Sequence, residues 1–155
     1  MPLVNEEKCF ALKGGTAVNF FIRDLPRLSV DMDLTYLPVE DRSTSLANIS
    51  RALMRMADRL RRIMKNTTVV AKQDHHKHGL KLLVNQQGVR VKIEVSPVLR
   101  GSVLMPVMHS VTKAIEKQFS YTQMNLLHHD EIYAGKLCAA LDRQHPRDLF
   151  DIKIL

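Results

Sequence analysis

Leu12–Tyr36 reads LKGGTAVNFFIRDLPRLSVDMDLTY, and its reading decides the fold. It sets a glycine pair, a short apolar helix and a strand with two aspartates within 25 residues. Thr16–Ile22 (TAVNFFI) is expected as a largely buried helix. Pro26 in the basic turn RDLPR ends it, because proline lacks the N–H that would continue the ladder. Leu28–Tyr36 is expected as a strand. Alternate side chains of a strand share a face, so Ser29, Asp31, Asp33 and Thr35 are expected together, with Leu28, Val30, Met32 and Leu34 in the core. Two carboxylates on one face of a packed strand repel each other and are costly to hold without a cation. Asp31 and Asp33 therefore read as a divalent-metal site, and the remaining chain as what positions it. Gly14 and Gly15 admit unusual backbone angles and remove the Cβ that would block a ligand. Their N–H groups, with those of the first helical turn, suit a phosphate. A glycine pair before a helix is also an ordinary turn.

A length of 155 residues suits one domain with an ordinary core. At 45% hydrophobic and 25% charged residues, the composition is that of a globular protein rather than a disordered one. No apolar run approaches the roughly 18 residues of a membrane span, and MPLVNEEKCF lacks a signal-peptide pattern. No membrane partner is expected. Cys9 and Cys138 are too few and too far apart for a disulfide framework, so reduced thiols and a cytoplasmic location are expected. The net charge of +7 favours nucleotide, polyphosphate or nucleic-acid partners. Much of it sits in Ser50–Lys65, where Arg51, Arg55, Arg59, Arg61, Arg62 and Lys65 face only Asp58; a solvated helix face is the alternative there. No RNA- or DNA-binding motif is visible, and aromatics are too few for a stacking platform.

Ser43–Lys65 reads as a long helix, with Leu46, Ile49, Leu53, Met56, Leu60 and Ile63 on its buried side. Thr67–Lys72 is a β-branched strand. Asp74–Gly79 carries His75, His76 and His78, and an exposed polar loop is preferred to a zinc site because adjacent histidines diverge and no cysteine lies nearby. Leu80–Asn85 and Val89–Val95 form a hairpin about Gln86, Gln87 and Gly88. In its second arm Val89, Val91, Ile93 and Val95 go inward, while Arg90, Lys92 and Glu94 share the other face. Glu94 is a third carboxylate for the metal site if this arm lies beside the aspartate strand, and a surface glutamate otherwise.

Ser96–His109 is expected as irregular chain or short strands, Val111–Lys117 as a short helix and Phe119–Leu127 as a strand or strand-like link. Asp130 is the expected N-cap of a helix over Glu131–Leu141, in which Ile132, Lys136 and Ala139/Ala140 fall at helical spacing, and Leu137 and Leu141, with Tyr133, also pack to one side. Pro146 suits a helix start, with Asp148 in the favourable first turn. Lys136 beside a phosphate would act as a point-charge clamp, and Asp148 could orient a base, a lysine or an attacking hydroxyl; surface ion pairs and caps are the other roles open to them. The sequence stops at DLFDIKIL, where an apolar helical pattern has just begun, so a truncated chain or fragment is expected.

Leu12-Lys13-Gly14-Gly15-Thr16-Ala17, then Arg27-Leu28-Ser29-Val30-Asp31-Met32-Asp33-Leu34, then Lys136-Leu137 within Glu131–Leu141, then Arg147-Asp148-Leu149-Phe150-Asp151 together resemble the AbiEii/AbiGii toxin family, of nucleotidyltransferase fold and related to the MenT toxins. The resemblance implies an α+β architecture, a small mixed sheet flanked by helices over 1–127, with a helical segment over 128–155 completing the cleft. It implies Gly14, Gly15 and Thr16 at the nucleotide phosphates, with Ser29 beside them. Asp31 and Asp33 would hold Mg²⁺, with Glu94 as the third acidic position. Lys136 would match the family's lysine and Asp148 its later aspartate, with Arg147 and Asp151 in support. The implied reaction is transfer of a nucleoside monophosphate from an NTP to an acceptor hydroxyl, with tRNA as acceptor and a cognate antitoxin as partner. The family pattern has more helical chain before the glycines and after RDLFD than this sequence does. A catalytically incomplete nucleotide-binding or interaction protein derived from such an enzyme is the competing expectation.

Overall fold

The computed structural model describes residues 1–73 and 79–154. The histidine loop expected at 74–79 lies almost wholly outside the described residues.

After the short helix α1 (Pro2–Asn5) come strand β1 (Phe10–Lys13) and helix α2 (Gly14–Ala17), which runs on into a π-helical turn at Val18–Ile22. Strand β2 (Met32–Tyr36) and the long helix α3 (Arg42–Ile63) follow, and then β3 (Thr67–Gln73), β4 (Gly79–Gln86) and β5 (Val89–Arg100). The last part holds β6 (Val107–Ser110), α4 (Lys113–Gln118), β7 (Gln123–Leu126), α5 (His129–Arg143) and α6 (Pro146–Lys153). The described strands form a seven-stranded mixed sheet in the order β3-β4-β5-β2-β1-β7-β6. No helix among the described residues is long and apolar enough to cross a membrane.

Strand alternation sorts the sheet into two faces. Leu12, Leu34 and Val95 are neighbours across β1, β2 and β5, and Met32, Ile93 and Leu82 are neighbours across β2, β5 and β4. All six are buried, in one cluster with Leu46, Ile49, Leu53, Met56 and Leu60 of α3. The residues between them point to the opposite face, where Lys13, Asp33, Glu94 and Lys81 form a row across four strands. Burial of the first face drives the packing; the second face carries the charged row.

Several expected positions differ. The strand begins at Met32 rather than Leu28, and Leu28 and Val30 are 71% and 44% exposed. Residues 28–31 have no strand beside them, because β1 ends at Lys13 opposite Asp33 and the β5 pairing begins at Met32. Ile63 is exposed at the last turn of α3, and Val89 is exposed at the hairpin tip, beyond the start of β2. The cap of α5 is His128, whose ring accepts from the Asp130 N–H, so Asp130 lies in the first turn. Leu137 and Leu141 are exposed, and the buried stripe of α5 is Ile132, Tyr133, Lys136 and Ala140. Part of the basic run on α3 is structural. Arg55 and Arg59 pair with the buried Glu7, Arg59 also with Glu6, and Arg61 reaches Asp58 and the Val69 carbonyl.

Candidate active site

A cavity of about 930 Å³ opens over the polar face of the sheet. Its floor includes Lys13 and Gly14 at the end of β1, Asp33 and Thr35 on β2, and Glu94 on β5. Its roof comes from α5 and α6 and includes Lys136 and Asp148. The parallel pairing of β2 with β5 makes Asp33 and Glu94 direct neighbours. That adjacency, which spacing in the sequence cannot supply, is present.

Asp33 is partly buried, and burial lifts its carboxyl above the usual aspartate range, as do the charges of Glu94 and Asp31; Lys92 and Lys13 act the other way. Glu94 behaves oppositely. Burial again pushes it up, but Lys92 at 2.7 Å and Lys81 at 2.9 Å hold it below the usual range. Asp31 precedes the strand and is half exposed, with Lys92 Nζ at 3.9 Å and the Lys92 N–H donating to its Oδ1 at 3.2 Å.

The glycines are explained by what packs on them. Gly14 has φ +75°, and a Cβ there would lie 2.7 Å from Asp33 Oδ2. A Cβ on Gly15 would lie 2.7 Å from Arg27 Nη2 and 2.8 Å from Ser29 Oγ. The pair thus lets the aspartate and the 27–31 loop close on the backbone. Thr16 ties the same loop down, with its hydroxyl donating to the Asp31 carbonyl and 3.1 Å from Ser29 Oγ.

Above the floor, one ion network locks the roof. Asp151 is fully buried and accepts from Arg27 Nε at 2.7 Å and Nη2 at 2.6 Å, with Lys136 Nζ also 2.7 Å away. Asp148 accepts from Lys136 at 3.1 Å and from Arg143 at 2.8 Å. Burial alone would raise both carboxyls, yet their cations bring them below the usual range. Lys136 is buriable in α5 because two carboxylates of α6 enclose it.

Residues 1–155 match the family model described as nucleotidyl transferase AbiEii toxin, Type IV TA system. The chain belongs to the AbiEii nucleotidyltransferase toxin family. Two solved structures are similar in fold. MenT4, a nucleotidyltransferase toxin from Mycobacterium tuberculosis H37Rv, superposes with a TM-score of 0.65 at 16% identity, covering 92% of this chain and 48% of that one. JHP933 from Helicobacter pylori superposes with a TM-score of 0.60 at 20% identity, covering 99% of this chain and 60% of that one. This AbiEii chain therefore spans about half to three-fifths of the length of these structural relatives. No protein of curated function matches it.

Of the residues singled out in the AbiEii sequence, Gly14, Asp33, Glu94, Lys136 and Asp148 line one cavity. Asp31, Gly15, Thr16 and Ser29 sit beside it, outside its lining. Among the described residues no three of His, Cys, Asp and Glu converge as a ready-made metal cage. A pair suffices for Mg²⁺, which is commonly held through one or two carboxylates plus substrate phosphates. Asp33 and Glu94 fit that requirement as adjacent oxygen donors on one cavity floor, with Lys81 and Lys92 paired to Glu94 in this structure.

Two functional-looking residues escaped the sequence reading. Arg27 stood in the basic turn and at the head of the aspartate motif with no role assigned to it, and its bidentate pairing with Asp151 spans 124 residues. Lys13 stood next to the glycines but carried no pattern of its own.

Proposed function

We propose that this chain transfers a nucleoside monophosphate from an NTP to an acceptor hydroxyl as the toxin of a toxin–antitoxin pair. The observation supporting this most directly is the Asp33–Glu94 neighbourhood on a cavity floor, in a chain of the AbiEii family. Asp33 and Glu94 would hold Mg²⁺, with Asp31 at the rim. The bound ion would supply positive charge to the triphosphate and to the oxygens entering and leaving phosphorus.

The chain's own groups do the remaining work. The acceptor oxygen attacks the α-phosphorus, the bond to the β-phosphate oxygen breaks, and pyrophosphate leaves. The hydroxyl proton passes to the Asp33–Glu94 carboxylate pair that borders the cavity, or to solvent. Asp148 is held ionised by Arg143 and Lys136, which suits it to orienting Lys136 and the roof rather than to moving a proton. Gly14 lets Asp33 approach, while Thr16 and Ser29 hold the loop that carries Asp31. Positioning and charge are what phosphoryl chemistry chiefly requires. The net charge of +7 suits a polyanionic acceptor, and tRNA is the acceptor we favour.

The test is label transfer from each α-³²P NTP to total RNA with Mg²⁺, using the wild type, Asp33→Ala and Glu94→Ala. Transfer by the wild type alone supports the reading. Labelling that persists in Asp33→Ala, or none in the wild type with its antitoxin absent, counts against it.

A further inference from the structure

The cavity is lined by several cations, and nearly all are already engaged. Arg100 donates to the Glu40 carbonyl at 3.4 Å and to Ser45 Oγ at 3.3 Å. Arg143 is held by Asp148, and Lys136 by both Asp148 and Asp151. Lys13 is different. It lines the floor, is half-buried, and among the described residues has no hydrogen-bond or ion-pair partner within reach. Asp33 is its neighbour across the β1–β2 pairing and acts on it through space, without a contact ion pair.

A half-buried ammonium without an acceptor is an expensive thing for a fold to keep. Burial pulls Lys13 below the usual lysine range, and the Asp33 charge offsets part of that effect. The same strip of floor holds a second unsatisfied group. Thr35 is 2% exposed, lies on the same face two residues after Asp33, and its hydroxyl has no hydrogen-bond partner. Both residues border the cavity; the Thr35 hydroxyl is sealed from it, whereas an anionic, oxygen-rich ligand there would satisfy the Lys13 ammonium.

The geometry points to Lys13, rather than Lys136, as the cation that contacts a phosphate oxygen of the nucleotide. The assignment rests on the nucleotide-transfer reading of this cavity. Lys136 would have to give up two buried carboxylates to reach a phosphate, whereas Lys13 gives up nothing. In this assignment Lys136 is a positioning residue that fastens α6 to α5, and Lys13 is the binding residue.

The experiment is calorimetry on the full chain with ATP, Mg²⁺-tripolyphosphate and adenosine, for the wild type, Lys13→Gln and Lys13→Met, alongside thermal melts of each unliganded protein. The expected result is a loss of about tenfold or more in affinity for ATP and tripolyphosphate, from removal of one charged hydrogen bond. Adenosine binding should be unchanged, and the unliganded variants should melt at or above the wild-type temperature because an unpaired, half-buried charge has gone. Variants that bind tripolyphosphate and ATP as the wild type does overturn the assignment. So does weaker binding accompanied by a lower melting temperature in both variants, which would assign Lys13 to supporting Asp33. If the wild type itself binds neither ATP nor tripolyphosphate, the nucleotide reading of the cavity fails along with it; if the wild type binds and only the variants are unaffected, the Lys13 assignment alone fails.

Discussion

Arg27 grips Asp151 with both Nε and Nη2, at 2.7 and 2.6 Å, and so joins the loop before β2 to the last described helix. Gly15 lies directly under that guanidinium, since a Cβ there would meet Arg27 Nη2. The glycine motif, the aspartate loop, Lys136 and the RDLFD helix are thus one physical unit. Asp151 is its hub, because it is wholly buried and shared between Arg27 and Lys136. Asp151→Ala leaves two cations short of their counter-charge. Removing one partner of a buried pair typically costs about 3–5 kcal/mol. Urea denaturation should show that loss, together with early protease cleavage near α6. A variant with wild-type stability would mean that the network is not formed in solution.

The same network fixes a pH response. Asp148 and Asp151 are held below their ordinary values once the cations outweigh burial. The unfolded chain therefore binds protons at higher pH than the native one does. The stabilisation is fully present above the unfolded aspartate value, near about pH 4, and is lost as pH falls through the lower native values. Melting temperatures recorded from pH 7 down to 3 should fall more steeply for the wild type than for Asp148→Asn. Parallel curves would remove these groups from the account.

Asp33 carries the opposite sign. Burial first, then Glu94 and Asp31, raise its carboxyl, so the native state holds the proton more tightly than the unfolded one. Its ionisation opposes folding as pH rises from the unfolded value through the native one, and the opposition is complete above both. Asp33→Asn should therefore melt higher than the wild type at pH 7.5 and no differently at pH 3. The same variant should lose roughly a hundredfold or more of nucleotide transfer, the scale seen when one transition-state contact is removed. A variant less stable at pH 7.5 would show that Asp33 is already neutralised by Lys13 and Lys92 in the free protein.

Periodicity made α3 and the β4–β5 hairpin legible, because in both an apolar stripe faces one continuous core. On α5 it set Ile132, Lys136 and Ala140 at helical spacing but misplaced Leu137 and Leu141, for a physical reason. The buried stripe there includes Lys136, which no hydropathy pattern assigns to an interior, and two carboxylates from the next helix make its burial tolerable. Leu137 and Leu141 then read as core although they are exposed. Alternation likewise carried the strand back to Leu28, since the residue types give no sign that β1 turns away at Lys13 and leaves 28–31 unpaired. Asp33 and Glu94 were each visible as candidates. Their adjacency depends on β5 pairing parallel with β2 across an intervening helix and hairpin, which is a property of topology and not of either motif.

The glycines allow the local and the site-specific parts of the design to be separated. Gly14 and Gly88 have nearly the same backbone, φ +75° and +80°, but differ in surroundings. A Cβ on Gly88 meets nothing within 4 Å, whereas one on Gly14 falls 2.7 Å from Asp33 Oδ2 and 3.3 Å from its Cβ. Gly88→Ala should therefore cost only the left-handed backbone penalty, about 1 kcal/mol. Gly14→Ala should cost that amount plus the displacement of Asp33, about 2 kcal/mol or more in all. The clash bears on the carboxylate at the centre of the cavity floor, so Gly14→Ala should also lose nucleotide transfer while Gly88→Ala keeps it. Urea denaturation and label transfer on the two variants give both readouts. Equal stability losses would mean that Asp33 rotates away freely, and a Gly14→Ala protein that still transfers nucleotide would separate the glycine from the carboxylate it is argued to admit.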